Sequence, residues 1–138
     1  MRILIADDEV VSRSKLQKIM STFGDCVAVE SGHDAVDAFK QAWTEWIPFD
    51  LVALDVLMPG MDGMDALLEI RRLEDTKGVA GKHRAKILMV TSQAQRDVVV
   101  TCLQAGCDEY IIKPFNLELV NQKISELMLG KCVWPRKR

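Results

Sequence analysis

The sequence has little of several things, and each scarcity excludes something. Only two histidines, His33 and His83, and four cysteines, Cys26, Cys102, Cys107 and Cys132, occur in 138 residues. The cysteines form no C-x-x-C pair and no zinc-site spacing, and neither histidine has a cysteine at ligand distance in sequence. The histidines therefore read as surface residues without a role. The cysteines read as buried reduced thiols rather than a disulfide framework. Charge of one sign is also missing: 20 acidic residues face 18 basic ones, for a net charge of −2. No global field favours nucleic acid or an anionic membrane surface. No apolar run is long enough to span a bilayer. The opening, Met1-Arg2 followed by four apolar residues, is too short for a secretory signal. The expected location is the cytoplasm.

What is present is 49% hydrophobic residues in a chain that suits one domain. They fall into short apolar runs alternating with longer stretches of helical period. Residues 3–6, 26–29, 51–54, 87–90 and 110–112 read as strands. Between and after them come helices marked by Leu16, Ile19, Met20 and Phe23 before Gly24, then by Ala35, Val36, Ala38 and Phe39 fading before Pro48. Leu67, Leu68 and Ile70 follow the Pro59-Gly60 turn. A fourth helix is expected over 93–105, capped by Gly106, and a fifth carries Leu117, Val120, Ile124 and Leu127 before stopping at Gly130. Ser31 is the expected N-cap of the second helix, with Asp34 in the reciprocal position. A polar, basic loop fills 76–85. Five strand-then-helix units predict an α/β fold, a doubly wound five-stranded parallel sheet with helices on both faces. One domain is expected over residues 1–130, with 131–138 a short basic tail.

Polar residues stand at the carboxyl ends of these strands, where open parallel sheets gather ligands. Strand one ends in Asp7 and Asp8, strand three in Asp55, strand four in Thr91 and Ser92, and strand five in Lys113. With strand order 2-1-3-4-5, the three acids converge in one pocket beside Thr91 and Lys113. Three carboxylates repel one another, and a hard cation such as Mg²⁺ (or Mn²⁺) offsets that repulsion while holding a phosphoryl oxygen. A lysine adds compact positive charge, and a hydroxyl can donate to an anionic oxygen. Positioning and charge neutralisation are what phosphoryl transfer requires, and a carboxylate can be its nucleophile.

The ordered set Asp7-Asp8, Asp55-x-x-Met58-Pro59-Gly60-Met61-Asp62-Gly63, Thr91-Ser92 and Lys113-Pro114-Phe115 resembles the response-regulator receiver family of two-component signalling, including its chemotaxis regulators. The resemblance covers nearly the whole chain and implies a flavodoxin-like (βα)5 fold. It implies Asp55 as phosphoacceptor, attacking a phosphohistidine on a sensor histidine kinase or histidine phosphotransfer protein. It further implies direct Mg²⁺ binding by Asp8, Asp55 and the Leu57 backbone carbonyl, with Asp7 acting through water. Lys113, joined to Pro114 by a cis peptide, would pair with the phosphoryl group. Thr91 would swing toward that group and Tyr110 would move inward with it. Output would pass through the fourth helix, fifth strand and fifth helix to a downstream protein target, not to nucleic acid or membrane. On that face Val98, Val99 and Val100 sweep more of a helix than one apolar stripe can cover, and Val99 is the expected partner contact.

Three other readings meet specific obstacles. A metal-dependent phosphohydrolase with an aspartyl nucleophile needs an acid/base carboxylate two residues on, where Leu57 stands. A flavin carrier needs a hydroxyl- or glycine-rich loop after strand one, where Asp7-Asp8-Glu9 would repel phosphate. A degenerate scaffold would lose Asp8, Asp55 or Lys113, and all are present. Leu57 and Gln93 depart from fast-cycling members, which implies a longer-lived aspartyl phosphate. The tail, with Trp134, Pro135, Arg136, Lys137 and Arg138, adds too little charge for a nucleic-acid patch.

Overall fold

Strand order is set by burial. In the computed structural model, which describes residues 1–92 and 96–129, five strands run β1 (Arg2–Ala6), β2 (Asp25–Val29), β3 (Leu51–Leu54), β4 (Lys86–Thr91) and β5 (Glu109–Ile112). They form one parallel sheet in the order β2-β1-β3-β4-β5. Every residue of β3, at the centre, is buried, which is why that run has no polar alternate. Helices α1 (Val10–Met20), α2 (Gly32–Thr44), α3 (Gly63–Thr76), α4 (Arg96–Gln104) and α5 (Leu117–Met128) supply the crossovers, with a short 3₁₀ turn at Gly81–His83. Gln93, the Gly130 stop, Cys132 and the basic end from Trp134 to Arg138 lie outside the described residues.

Successive strand residues point to opposite faces, so the sheet separates two cores. Leu4, Ala6, Val52, Leu54, Ile87 and Met89 pack with α2 and α3 residues such as Phe39, Leu67 and Ile70. Ile3, Ile5, Leu51, Ala53, Leu88 and Val90 pack with α1 and α5 residues Leu16, Met20, Val120 and Ile124. Truncating a fully buried member such as Ile5 to alanine should cost about 2–5 kcal/mol.

Local signals fix the helix starts. The Asp34 amide donates to the Ser31 hydroxyl at 3.1 Å, and Asp62 and Asn116 cap α3 and α5 in the same way. One helix end differs from the sequence reading, while α2 ends before Pro48 as expected. Helix α1 stops at Met20 rather than near Phe23, because the Ser21 and Thr22 hydroxyls donate back to the Gln17 and Ile19 carbonyls. Helix α2 ends by turning through Trp46, which holds a left-handed φ of 59° where a glycine is usual. The fifth strand and its loop behave as expected, and the Lys113–Pro114 peptide is cis.

Candidate functional site

The site forms where β1, β3 and β5 run out. Asp7 follows β1 and is fully buried, while Asp8, next in the chain, is exposed. The backbone of Asp55, one residue beyond β3, is tied to β1 through a 3.0 Å bond from its amide to the Ala6 carbonyl. A carboxylate oxygen from each of Asp7, Asp8 and Asp55 lies within 4.8 Å of the other two. The loop beyond Asp55 is packed so closely that a Cβ on Gly63 would sit 2.0 Å from the Asp55 carbonyl oxygen. Only glycine fits there, which gives the Asp62-Gly63 pair in the sequence its physical reason.

Lys113 closes the site from β5. Its ammonium donates to Asp7 Oδ2 at 2.9 Å, to Glu9 Oε1 at 2.7 Å and to Asp55 Oδ2 at 3.1 Å. The other oxygens of Asp7 and Asp55 are held by backbone: Asp7 Oδ1 accepts from the Glu9 amide at 2.9 Å, and Asp55 Oδ1 from the Leu57 amide at 3.2 Å. Arg13 bonds the Asp7 carbonyl and pairs with Glu30, so it adds no bond to the carboxylates. Three acids thus share one ammonium, and Asp8 stands beside them without a bond to it. Burial pushes Asp55 up to about 6, Lys113 and the Leu57 amide pull the other way, and Asp7 adds to the rise. Burial also works to lower Lys113, but its bonds to Glu9, Asp7 and Asp55 more than reverse this and hold it above the ordinary lysine value. The same lysine keeps the exposed Glu9 carboxyl below its ordinary range.

Three oxygen donors at these separations, with one buried acid resisting ionisation, fit a hard divalent cation. The acids and the lysine are brought together as their positions in sequence suggested. Thr91 is buried at the end of β4, and its carbonyl accepts the Lys113 amide at 2.8 Å. Tyr110 is half-buried in β5, opposite Met89. Leu57 is 52% exposed beside Asp55. Of the three valines of α4, Val98 packs on the core, Val99 is half-buried, and Val100 is exposed. Glu9 was missed by sequence reasoning. Its signal was the third acid of Asp7-Asp8-Glu9, which reads as a solvated turn until Lys113 is seen to reach it.

A parallel sheet in this order, with acids from β1 and β3 facing a lysine from β5, defines a doubly wound α/β domain with its charged site at the carboxyl ends of the strands. The chain belongs to the response regulator receiver domain family, whose model matches residues 3–125. It is 35% identical over 129 residues to the chemotaxis protein CheY of Bacillus subtilis, covering 92% of this chain and 97% of that protein. The Halobacterium salinarum CheY is 34% identical over 128 residues, covering 92% and 96%. Among solved structures, the CheY of Borrelia burgdorferi, in a complex with CheX, BeF3 and Mg²⁺, matches with a TM-score of 0.79 at 27% identity, covering 93% of this chain and 89% of that one. A receiver domain from Saccharomyces cerevisiae, solved with the histidine phosphotransfer protein Ypd1, shares the fold with a TM-score of 0.82 at 22% identity over 96% and 92%. The chain is accordingly a receiver domain of two-component signalling. Among the described residues, no helix is long and apolar enough to cross a membrane.

Proposed function

We propose that Asp55 accepts a phosphoryl group from a phosphohistidine of a sensor histidine kinase or histidine phosphotransfer protein, and that the chain signals by the resulting change in protein contacts. The observation that carries this reading is the Lys113 ammonium, 3.1 Å from Asp55 Oδ2 inside a surplus of carboxylates. An Asp55 oxygen attacks phosphorus, the P–N bond breaks, and the imidazole leaves with a proton. Lys113 follows the phosphoryl oxygens as negative charge moves onto them. Asp8 and Asp55, with the Leu57 carbonyl, would hold the metal, with Asp7 acting through water and orienting Lys113. Mg²⁺, or Mn²⁺ in its place, would supply charge neutralisation when bound there.

Thr91 then reorients toward the phosphoryl group and Tyr110 moves inward, so the α4–β5–α5 face changes its affinity for a downstream protein, with Val99 in the contact. The protein is a switch that promotes its own Mg²⁺-dependent phosphorylation and dephosphorylation rather than an enzyme acting on others. Its setting is the cytoplasm, and neither nucleic acid nor membrane is its partner. The receiver is assigned to residues 1–130, and the basic stretch 131–138 lies outside the described residues. The test is intact mass after treatment with phosphoramidate and Mg²⁺. One added phosphoryl on wild type and none on Asp55→Asn is expected. No addition to wild type would favour a scaffold, and turnover of diverse phosphoesters a hydrolase.

A further inference from the structure

Over its described residues, helix α4 buries the fewest side chains of the five helices: Cys102 alone, against two in α5, three in α1 and six in α2. The segment that follows α4 is held far more firmly. The Gly106 carbonyl accepts Arg71 Nε at 2.9 Å, the Asp108 amide donates to the Ile87 carbonyl at 2.8 Å, and the Asp108 carboxylate bonds both Arg71 and the Ile87 amide. Arg71 itself is pinned by the fully buried Glu74. Cys107 stands inside this fixed segment and Cys102 on the loosely held helix.

The turn between them has one geometry. The Cys107 amide donates to the Cys102 carbonyl at 3.1 Å and the Gly106 amide to the Leu103 carbonyl at 3.2 Å, with Gly106 at a φ of 110°. That is the paired-bond helix stop in which the third-last helical residue and the second residue beyond the cap bring their side chains together. Here both side chains are thiols, both are buried, and both belong to the same apolar cluster.

We propose that Cys102 and Cys107 form a redox modification site, at which a peroxide joins the two thiols in a disulfide that staples α4 to the anchored segment before β5. Cys102 sulfur attacks a peroxide oxygen, giving a sulfenic acid and one water. Cys107 sulfur then attacks the Cys102 sulfur and expels the second water. Two hydrogens leave the protein and the peroxide is reduced. Burial raises both thiols, Cys107 to about 12, so the pair is inert while α4 is closed. Local opening of α4 is what admits the oxidant. Oxidation then confines the helix that carries part of the output face, whatever the state of Asp55.

The experiment treats the full chain with hydrogen peroxide at neutral pH, alongside a chain carrying Cys26→Ser and Cys132→Ser. Non-reducing peptide mapping and amide hydrogen exchange are read on both. Expected are a bond between Cys102 and Cys107, reversal by dithiothreitol, and exchange in α4 slowed on the order of tenfold. An Asp55→Asn chain should oxidise equally, so failure here is distinct from failure of the phosphoryl assay. Recovery of both thiols free, their conversion to separate sulfinic acids, pairing with Cys26 or Cys132, or unchanged α4 exchange in the bonded protein would overturn the proposal.

Discussion

Two ionic clusters, each built around a buried acid, lie in the described part of the chain, and they differ in their charge balance. At the carboxyl end of the sheet, Asp7, Asp8, Glu9 and Asp55 face only Lys113. At the other end, Arg71 and Lys86 face Glu74 and Asp108, two charges against two. Glu74 has both oxygens satisfied, one by Arg71 at 2.6 Å and one by the Ala85 amide at 2.7 Å. A balanced and fully bonded cluster is complete as it stands and serves the fold. A cluster short of positive charge, with one carboxylate pushed up to about 6, is incomplete until a cation or a proton arrives. Incompleteness is what makes the first a site and the second a clamp.

Breaking the clamp should have the largest effect. Arg71→Ala leaves Glu74 buried without its partner, and about 3–5 kcal/mol of stability should be lost, read by urea denaturation. The phosphoryl-accepting chemistry of whatever remains folded should persist. A smaller loss, about 1–3 kcal/mol from overpacking, is expected for Gly63→Ala, because the added methyl displaces the Asp55 carbonyl. Unlike the clamp variant, Gly63→Ala should also slow phosphorylation, measured by intact mass over time.

Neutralising the site should do the reverse of breaking the clamp. Asp55 binds its proton more tightly folded than unfolded, so without metal its contribution to stability is most favourable at low pH. That contribution is lost as pH rises from about 4 to 6. At pH 7 without Mg²⁺, Asp55→Asn should therefore be more stable than wild type by about 1–3 kcal/mol. Added Mg²⁺ should narrow the gap, and thermal melts with and without chelator measure it. The smallest effect concerns lifetime. Leu57 offers no side-chain hydrogen bond to a water attacking the phosphoryl group. Leu57→Asn should speed decay by a factor of about five, the worth of roughly 1 kcal/mol for one hydrogen bond. Faster decay in wild type than in the variant would refute this.

The site was more legible in the sequence than the clamp. Strands that must be buried on both faces are apolar throughout, so the polar residue that ends each one stands out, and Asp55 and Lys113 follow. The clamp has no such signature. Arg71 and Glu74 look like an ordinary exposed helix pair three residues apart, and nothing local ties them to Asp108, 37 residues beyond Arg71. Glu9 was hidden for the same reason, since its partner Lys113 lies 104 residues away. The end of α1 was not legible, because the Ser21 and Thr22 side chains compete for backbone groups there. The Val98-Val99-Val100 run was legible only in part: too many apolar residues for one stripe required an exposed one, but that one is Val100, while Val99, the expected contact, is half-buried.

Locating the phosphoryl group within the chain is the most direct measurement. After phosphoramidate treatment, tandem mass spectrometry should find a single phosphoryl group on the peptide containing Asp55, with Mg²⁺ present and not after chelation. A phosphoryl group on another residue, or incorporation at Asp55 that chelation leaves unchanged, would contradict a cation-completed acceptor site.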